Sequence, residues 1–273
     1  MRQKASGSPR IGEILRYRLP KGMRYSTLSE REDFYSDEFR LDKASKWLSR
    51  RGGHSVFAVI IGRHTKIYPR KFAQSYSKSI LIDDYSTLQE VGDLILEFMP
   101  EAVYYDRNIY SKGSGSTRKI LGQELAFDLD PENVTCPIHG SLKDKMRRRQ
   151  GLSFCILEFK KIREKTLDLH ERLSKMFNEV SVVYSGRGFH IHIFDLETLV
   201  WTRRQRRKLA LQIKREGYPI DEWVTSGGMR LIRLPYSLHG MVSRIVLPVS
   251  IAQLERFDPL TSSIAVPRFL QKS

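Results

Sequence analysis

Residues 121–134, LGQELAFDLDPENV, end an otherwise apolar strand on two aspartates, Asp128 and Asp130. Side chains at i and i+2 of a strand point to the same face, and strand rise sets these two about 7 Å apart. Left alone, the carboxylates repel and raise each other's pKa. A fold that accepts this strand must bring something positive to its end, either a cation or a basic side chain.

The rest of the chain narrows the choice. Its 273 residues suit one large domain, or one with a small appendage. No run approaches the ~20 apolar residues of a membrane span. The basic N-terminus, MRQKASGSPRIGEILRYRLPKG, lacks the apolar core of a secretory signal. A cytoplasmic, nucleoid-associated protein with no membrane partner is therefore expected. Lys and Arg number 47 against 31 Asp and Glu, a net charge of +16, which favours a polyanionic partner, most simply nucleic acid. Two cysteines, Cys136 and Cys155, do not make a disulfide scaffold.

Residues 1–24 read as a basic, irregular arm, and residues 25–273 as one domain. SEREDFYSDEF and RLDKASKWLSRRGG read as helix, and HSVFAVIIG with TKIYPRKF as a strand pair. YSTLQEVGDLILEFMP is an amphipathic helix stopped by Pro100, EAVYYDRNIY a strand and SKGSGSTRK a loop. Residues 131–152 lose periodicity around a basic run and read as an inserted knob. A long helix follows, with Leu157, Leu169, Leu173, Met176 and Phe177 expected in the core. VSVVYSGRGFHIHIFD reads strand–turn–strand, and WTRRQRRKLALQIKREG as a helix capped by Thr202 and ended by Gly217. MRLIRLP and SRIVLPVS are further strands. Adjacent strands without strict βαβ alternation predict an α/β chain of the α+β kind, a mixed or antiparallel sheet with helices on its faces.

Three constellations carry chemistry. Asp128 and Asp130 are a seat for Mg²⁺ or Mn²⁺, since hard cations take oxygen ligands. In the turn YSGRGFHIH, Gly186 and Gly188 permit positive φ, and Ser185, the Arg187 guanidinium and His190 offer donors to phosphate. His192 shares a strand face with His190 and is expected to pack internally. In PIDEWVTSGGMRLIRLPYSLHG, Asp221 completes a carboxylate triad, and His239 follows on a turn. Arg230 and Arg233 face opposite sides of a strand, and Arg233 is the one expected to enter the site. Three acids for two metal ions and several donors for a triphosphate fit nucleotidyl transfer.

These motifs, in this order, resemble the archaeo-eukaryotic primase (primase-polymerase) superfamily, and specifically the small catalytic subunit of archaeal DNA primases. The resemblance spans about residues 54–249. It implies a prim-pol core with an RRM-like sheet carrying the acids. Asp128, Asp130 and Asp221 would hold two divalent metals, Mg²⁺ or Mn²⁺, and Ser185, Arg187, His190, Arg233 and His239 the incoming NTP or dNTP. CPIH and FCILE stand where archaeal primases carry a zinc knob, here over residues 131–158, with Cys136, His139, Cys155 and Glu158 as candidate zinc ligands. Two departures are visible. S-G-R-G-F-H is one residue shorter than the family's S-G-x-R-G-x-H, and Glu158 replaces a fourth cysteine.

The expected partners are a DNA template and a primer strand, with a primase large subunit or repair factors besides. Arg147, Arg148 and Arg149, and Arg203, Arg204, Arg206, Arg207 and Lys208, are expected on template phosphates. The alternatives are a stand-alone end-joining or gap-filling polymerase of the same superfamily, and a non-catalytic nucleic-acid-binding module.

Overall fold

The computed structural model describes residues 17–72, 80–85, 87–113 and 117–271, with the backbone alone for 80–85. Helices α1 (Leu28–Asp37) and α2 (Leu41–Ser49) precede strand β1 (Phe57–Ile60). Strand β2 (Ile80–Tyr85), helix α3 (Leu88–Phe98) and strand β3 (Ala102–Asp106) follow. The short strands β4 (Asn108–Tyr110) and β5 (Ile120–Gln123) lead into β6 (Leu125–Leu129). Helices α4 (Leu142–Arg147) and α5 (Ile156–Ser174) come next, then β7 (Val180–Tyr184) and β8 (Phe189–Ile193). Helices α6 (Leu196–Leu199), α7 (Arg203–Arg215) and α8 (Glu222–Thr225) precede β9 (Leu231–Arg233), β10 (Leu238–His239), β11 (Arg244–Ile245) and β12 (Leu247–Val249). Helices α9 (Ile251–Glu255) and α10 (Arg268–Gln271) end the described chain.

Eight strands form two four-stranded sheets, ordered β2-β1-β3-β9 and β12-β7-β8-β6, and β4–β5 and β10–β11 pair separately; every pairing is antiparallel. Period-two alternation on β6 and β8 decides what each sheet face does. Leu125, Phe127 and Leu129, with Phe189, Ile191 and Ile193, bury against Phe159, Ile162, Leu169 and Leu173 of α5 and against Leu209 and Ile213 of α7. The opposite face carries Ala126, Asp128, His190 and His192, with Asp128 directly across from His190 and Ala126 across from His192. Ala126 packs into the second core, under Phe57 and Val59 of β1, Val103 and Tyr105 of β3, and the helices α1 and α3. The acid-bearing face of one sheet therefore looks toward the other sheet.

Several expectations need correction. TKIYPRKF is not a strand. β1 pairs antiparallel with β2 and β3 instead, and Arg70–Phe72 forms a 3₁₀ turn. The Glu101 carboxylate accepts the backbone N–H groups of His64 (3.0 Å) and Thr65 (2.8 Å), which pins this segment as a loop. Pro69 removes a further ladder donor. Leu157 and Met176 are exposed. The buried stripe of α5 runs Phe159, Ile162, Thr166, Leu169, Leu173, and Leu157 lies off it, while Met176 follows the helix end. Residues 1–16 of the expected basic arm, and 114–116 of the Ser/Gly loop, lie outside the described residues. Residues 17–24 pack against the body: Arg18 exchanges backbone hydrogen bonds with the Ser153 hydroxyl (2.9 Å) and Phe154 N–H (3.0 Å), and Met23 is buried.

Candidate active site and metal centre

The acids converge. The Asp221 backbone N–H donates to the Asp128 carbonyl at 2.9 Å, which places the start of α8 beside the end of β6. Arg107, fully buried, donates to the carbonyls of Glu124, Val224 and Met229 and so clamps the α8 segment to that strand. The Asp221 carboxylate accepts the Trp223 N–H at 2.8 Å. Asp128, Asp130 and Asp221 line one cavity of about 560 Å³, with Glu132, Tyr17 and Arg149. On their other side lies a tighter cavity of about 200 Å³, where Asp128 and Asp130 meet Ser185, Arg187, His190, Arg233 and His239.

Burial and neighbouring charges shift several groups of this site toward their neutral forms. Burial, then the Asp130 and Asp221 carboxylates, push Asp128 well above the usual carboxylate range. Its Oδ1 is buried, has no hydrogen-bond donor, and lies 3.6 Å from His190 Nε2. Burial and the nearby His192 hold His190 well below the ordinary histidine value. Burial, then Arg233 and Arg187, do the same to His239. The Arg233 Nη1 and the Nδ1 atoms of His190 and His239 are buried and have no hydrogen-bond partner among the described residues. Among the described residues, Asp128, Asp130 and Asp221 have no Lys or Arg ion-pair partner, and Arg233 has no carboxylate partner. Oxygen-only donors on one wall fit a hard divalent ion, and the basic wall fits phosphate.

The glycines of the turn act on the protein itself. Gly186 has φ +98°, and a Cβ there would meet the His239 Cβ at 2.5 Å. A Cβ on Gly188 would lie 2.2 Å from the Leu129 carbonyl. These two positions let the turn close over His239 and the acidic strand. Ser185 closes the same turn, its hydroxyl accepting the Gly188 N–H at 3.1 Å.

Sequence reasoning passed over three residues here. Glu132 pairs with the Arg187 guanidinium. Burial raises its carboxyl to about 7, the Arg187 charge opposing and the Asp130 charge adding. Its place in D-L-D-P-E, two beyond Asp130, was the available signal. His64, beside Gly62 and Arg63, lines the smaller cavity, and burial lowers it to about 4. Tyr104, in register with Arg233, presents its ring 4.9 Å from that guanidinium. Arg230 points away and pairs with Asp106 at 3.7 Å.

The knob holds a second cluster. Cys136 Sγ lies 3.4 Å from His139 Nδ1 and 3.8 Å from Cys155 Sγ, and His139 Nδ1 lies 3.6 Å from Glu158 Oε2. All four ligand atoms fall within 4.8 Å of one another. Zinc–ligand bonds of roughly 2.0–2.3 Å in a tetrahedron space the ligands about 3.3–3.8 Å apart, so the set fits that ion. Buried Lys145 pairs with the other Glu158 oxygen and holds the carboxylate aimed.

Of the expected nucleic-acid contacts, Arg147 and Arg148 are exposed on the knob, and Arg149 lines the larger acidic cavity. Arg203, Arg204, Arg207 and Lys208 are exposed on α7. Arg206 is a correction. It is 2% exposed and donates to the carbonyls of Gln123, Glu124 and Thr198, so it holds α7 against the end of β5 and α6 and is closed to a ligand.

No protein-family model matches the chain. A protein of Archaeoglobus fulgidus named "Uncharacterized DNA primase small subunit-like protein" is 53% identical over 272 residues, 95% of this chain and 96% of its own. The DNA primase small subunit PriS of Pyrobaculum calidifontis is 27% identical over 63% of this chain and 67% of its own, and that of Pyrococcus horikoshii 25% over 68% and 49%. Among solved structures, the polymerase domain of Mycobacterium tuberculosis Ligase D in complex with DNA superposes with a TM-score of 0.56 at 15% identity, covering 90% of this chain and 88% of that one. The fold is thus the prim-pol fold, and the chain belongs to the archaeo-eukaryotic primase superfamily as a DNA primase small subunit-like protein.

Proposed function

We propose that the chain is a template-dependent nucleotidyltransferase that synthesises or extends RNA or DNA primers. What carries this reading is the convergence of Asp128, Asp130 and Asp221 on one cavity, with Asp128 and Asp130 also lining the adjoining cavity of about 200 Å³ beside the buried basic atoms of Arg233, His190 and His239. Asp128, Asp130 and Asp221 would hold two Mg²⁺ or Mn²⁺ ions. Those ions would activate the attacking 3′-hydroxyl and neutralise charge on the departing pyrophosphate. Arg187, Arg233, His190 and His239 would grip the triphosphate, with Glu132 keeping the Arg187 fork oriented. Ser185 serves by holding its turn closed. A DNA template and primer strand are the partners this chemistry requires. The names of the relatives add a primase large subunit as a further candidate.

The test replaces Asp128 and Asp130 with alanine and measures DNA binding beside nucleotide incorporation. Loss of incorporation with binding retained supports the enzyme. A wild-type protein that incorporates nothing with Mg²⁺ or Mn²⁺ overturns it in favour of a binding module. De novo dinucleotide synthesis on a primer-free template separates a primase from a gap-filling repair polymerase.

The knob would carry one structural zinc on Cys136, His139, Cys155 and Glu158. Elemental analysis of protein purified without chelator should find about one zinc per chain, lost in Cys136→Ser. Metal-free wild type with unchanged thermal unfolding on zinc addition would refute it.

A further inference from the structure

Trp223 stands two residues beyond Asp221, and none of the chemistry above uses it. It is 67% exposed, whereas Trp47 is buried and Trp201 half-buried. Leaving so large an apolar side chain in water forgoes on the order of 2 kcal/mol of burial. Yet the indole is not loose. A Cβ on Gly228 would come within 2.7 Å of its Cε3 and 3.3 Å of its Cζ3, so the benzo ring is seated against bare glycine backbone. The Trp223 carbonyl accepts the N–H groups of Gly228 (2.9 Å) and Met229 (3.0 Å), and its own N–H is held by the Asp221 carboxylate. A fixed ring is thus presented to solvent and tied at its backbone to a candidate metal ligand.

The surroundings indicate what it meets. Trp223 forms one wall of a concavity of about 550 Å³ whose other wall is Arg203, Arg204 and Arg207 of α7. Among the described residues, none of these three guanidiniums has an ion-pair partner. The one acid lining the hollow, Glu222, is partly offset by Lys214 at 3.5 Å. A rigid π-surface beside unpaired cations matches an anionic backbone carrying flat bases.

We propose that Trp223 is a stacking platform for an unpaired base of the nucleic-acid strand that runs to the acid cluster, with Arg203, Arg204 and Arg207 on that strand's phosphates. This deepens the polymerase reading and rests on it only for the direction of the strand. Stacking on Trp223 would fix the strand's register against Asp221. The basic face of α7 alone would bind any polyanion and set no register.

The experiment is an equilibrium titration with a short oligothymidylate, with no nucleotide or metal added. It follows intrinsic fluorescence and, separately, the anisotropy of a labelled oligonucleotide at several salt concentrations. Wild type should show tryptophan quenching. Trp223→Phe should lose the quenching while binding within about threefold of wild type. Trp223→Ala should bind roughly 5- to 150-fold more weakly, the range for one stacked base, at an unchanged salt slope and thermal midpoint. Arg204→Ala should instead flatten the salt slope by about 0.7. Quenching that persists in Trp223→Phe, or Trp223→Ala binding as tightly as wild type, overturns the platform. So does an acidic peptide of matched charge that quenches Trp223 equally well. Since no turnover is measured, a failure here is distinct from a failure to incorporate nucleotides.

Discussion

Glu124 and Asp128 stand four residues apart with the same parity, on the same side of one segment, and their surroundings treat them oppositely. Glu124 is fully buried and accepts from Arg51 (3.0 Å), the Tyr105 hydroxyl (3.1 Å) and His192 Nδ1 (2.5 Å). Burial pushes its pKa up, but the charges of His192 and Arg51 overcome that and hold it down at about 2. Asp128 is less enclosed, its side chain 21% exposed, but burial and two neighbouring carboxylates drive it upward, with only Arg187 opposing. Tyr105 belongs to one sheet and His192 to the other, so Glu124 joins them. The difference separates architecture from function within a few ångströms. The fold completes the first carboxylate from its own side chains and gives the second no Lys or Arg partner among the described residues.

The sharpest way to break that contrast is Asp128→Asn. Incorporation should fall about 10³-fold or more, since a bound ion supplies several kcal/mol and each 1.4 kcal/mol is a factor of ten. The thermal midpoint should stay or rise, because one member of a repelling cluster is gone. A variant that unfolds would mean Asp128 is a structural residue like Glu124.

How much of this was legible in the sequence follows the same division. Asp128, Asp130, Ser185, Arg187 and His190 lie on contiguous strands and one turn, where period two and glycine positions are local signals. Arg233 was separable from Arg230 by parity alone. For Asp221 the sequence offers only its order along the chain, because the Asp221–Asp128 backbone contact is long-range. The loop around Thr65 was misread because its apolar residues suit a strand, and the competing force, the Glu101 carboxylate on its N–H groups, lies 36 residues away. Arg206 sits among four other basic residues in sequence, and the signal that separates it is helical period: it lies three, four and seven residues before Leu209, Ala210 and Ile213, on the buried stripe. Glu124 gave no such local signal. Its partners come from α2's end, β3 and β8, and a lone glutamate before an apolar strand carries no mark of them.

Glu124→Ala should sharpen the contrast from the other side. It strands the buried Arg51 guanidinium, whose Nη1 otherwise donates to Glu124 and to the Asp106 carbonyl. Losing one partner of a buried ion pair costs about 3–5 kcal/mol. Denaturant titration should read that loss in the midpoint. Affinity for a labelled oligonucleotide at temperatures where the variant remains folded should change little, since Glu124 lines neither cavity beside the acids. A loss below 1 kcal/mol would show that the two sheets hold together without it.

The smallest expected effect is in pH, and its sign discriminates. The folded-state pKa of Glu124 is depressed from 4.5 to about 2. The unfolded chain therefore takes up the proton first as pH falls. The stabilisation is fully present above about pH 4.5 and disappears on the way down to pH 2, and a 2.5-unit shift amounts to about 3 kcal/mol. Asp128, raised rather than depressed, contributes the opposite slope above its unfolded value, so the measurement must be a difference. Glu124→Gln keeps the shape and removes the titration. Subtracting its stability curve from wild type should leave a step that falls between pH 4.5 and 2.5. A flat difference would mean that Glu124 is not held ionised by Arg51 and His192, and the two carboxylates would then be alike.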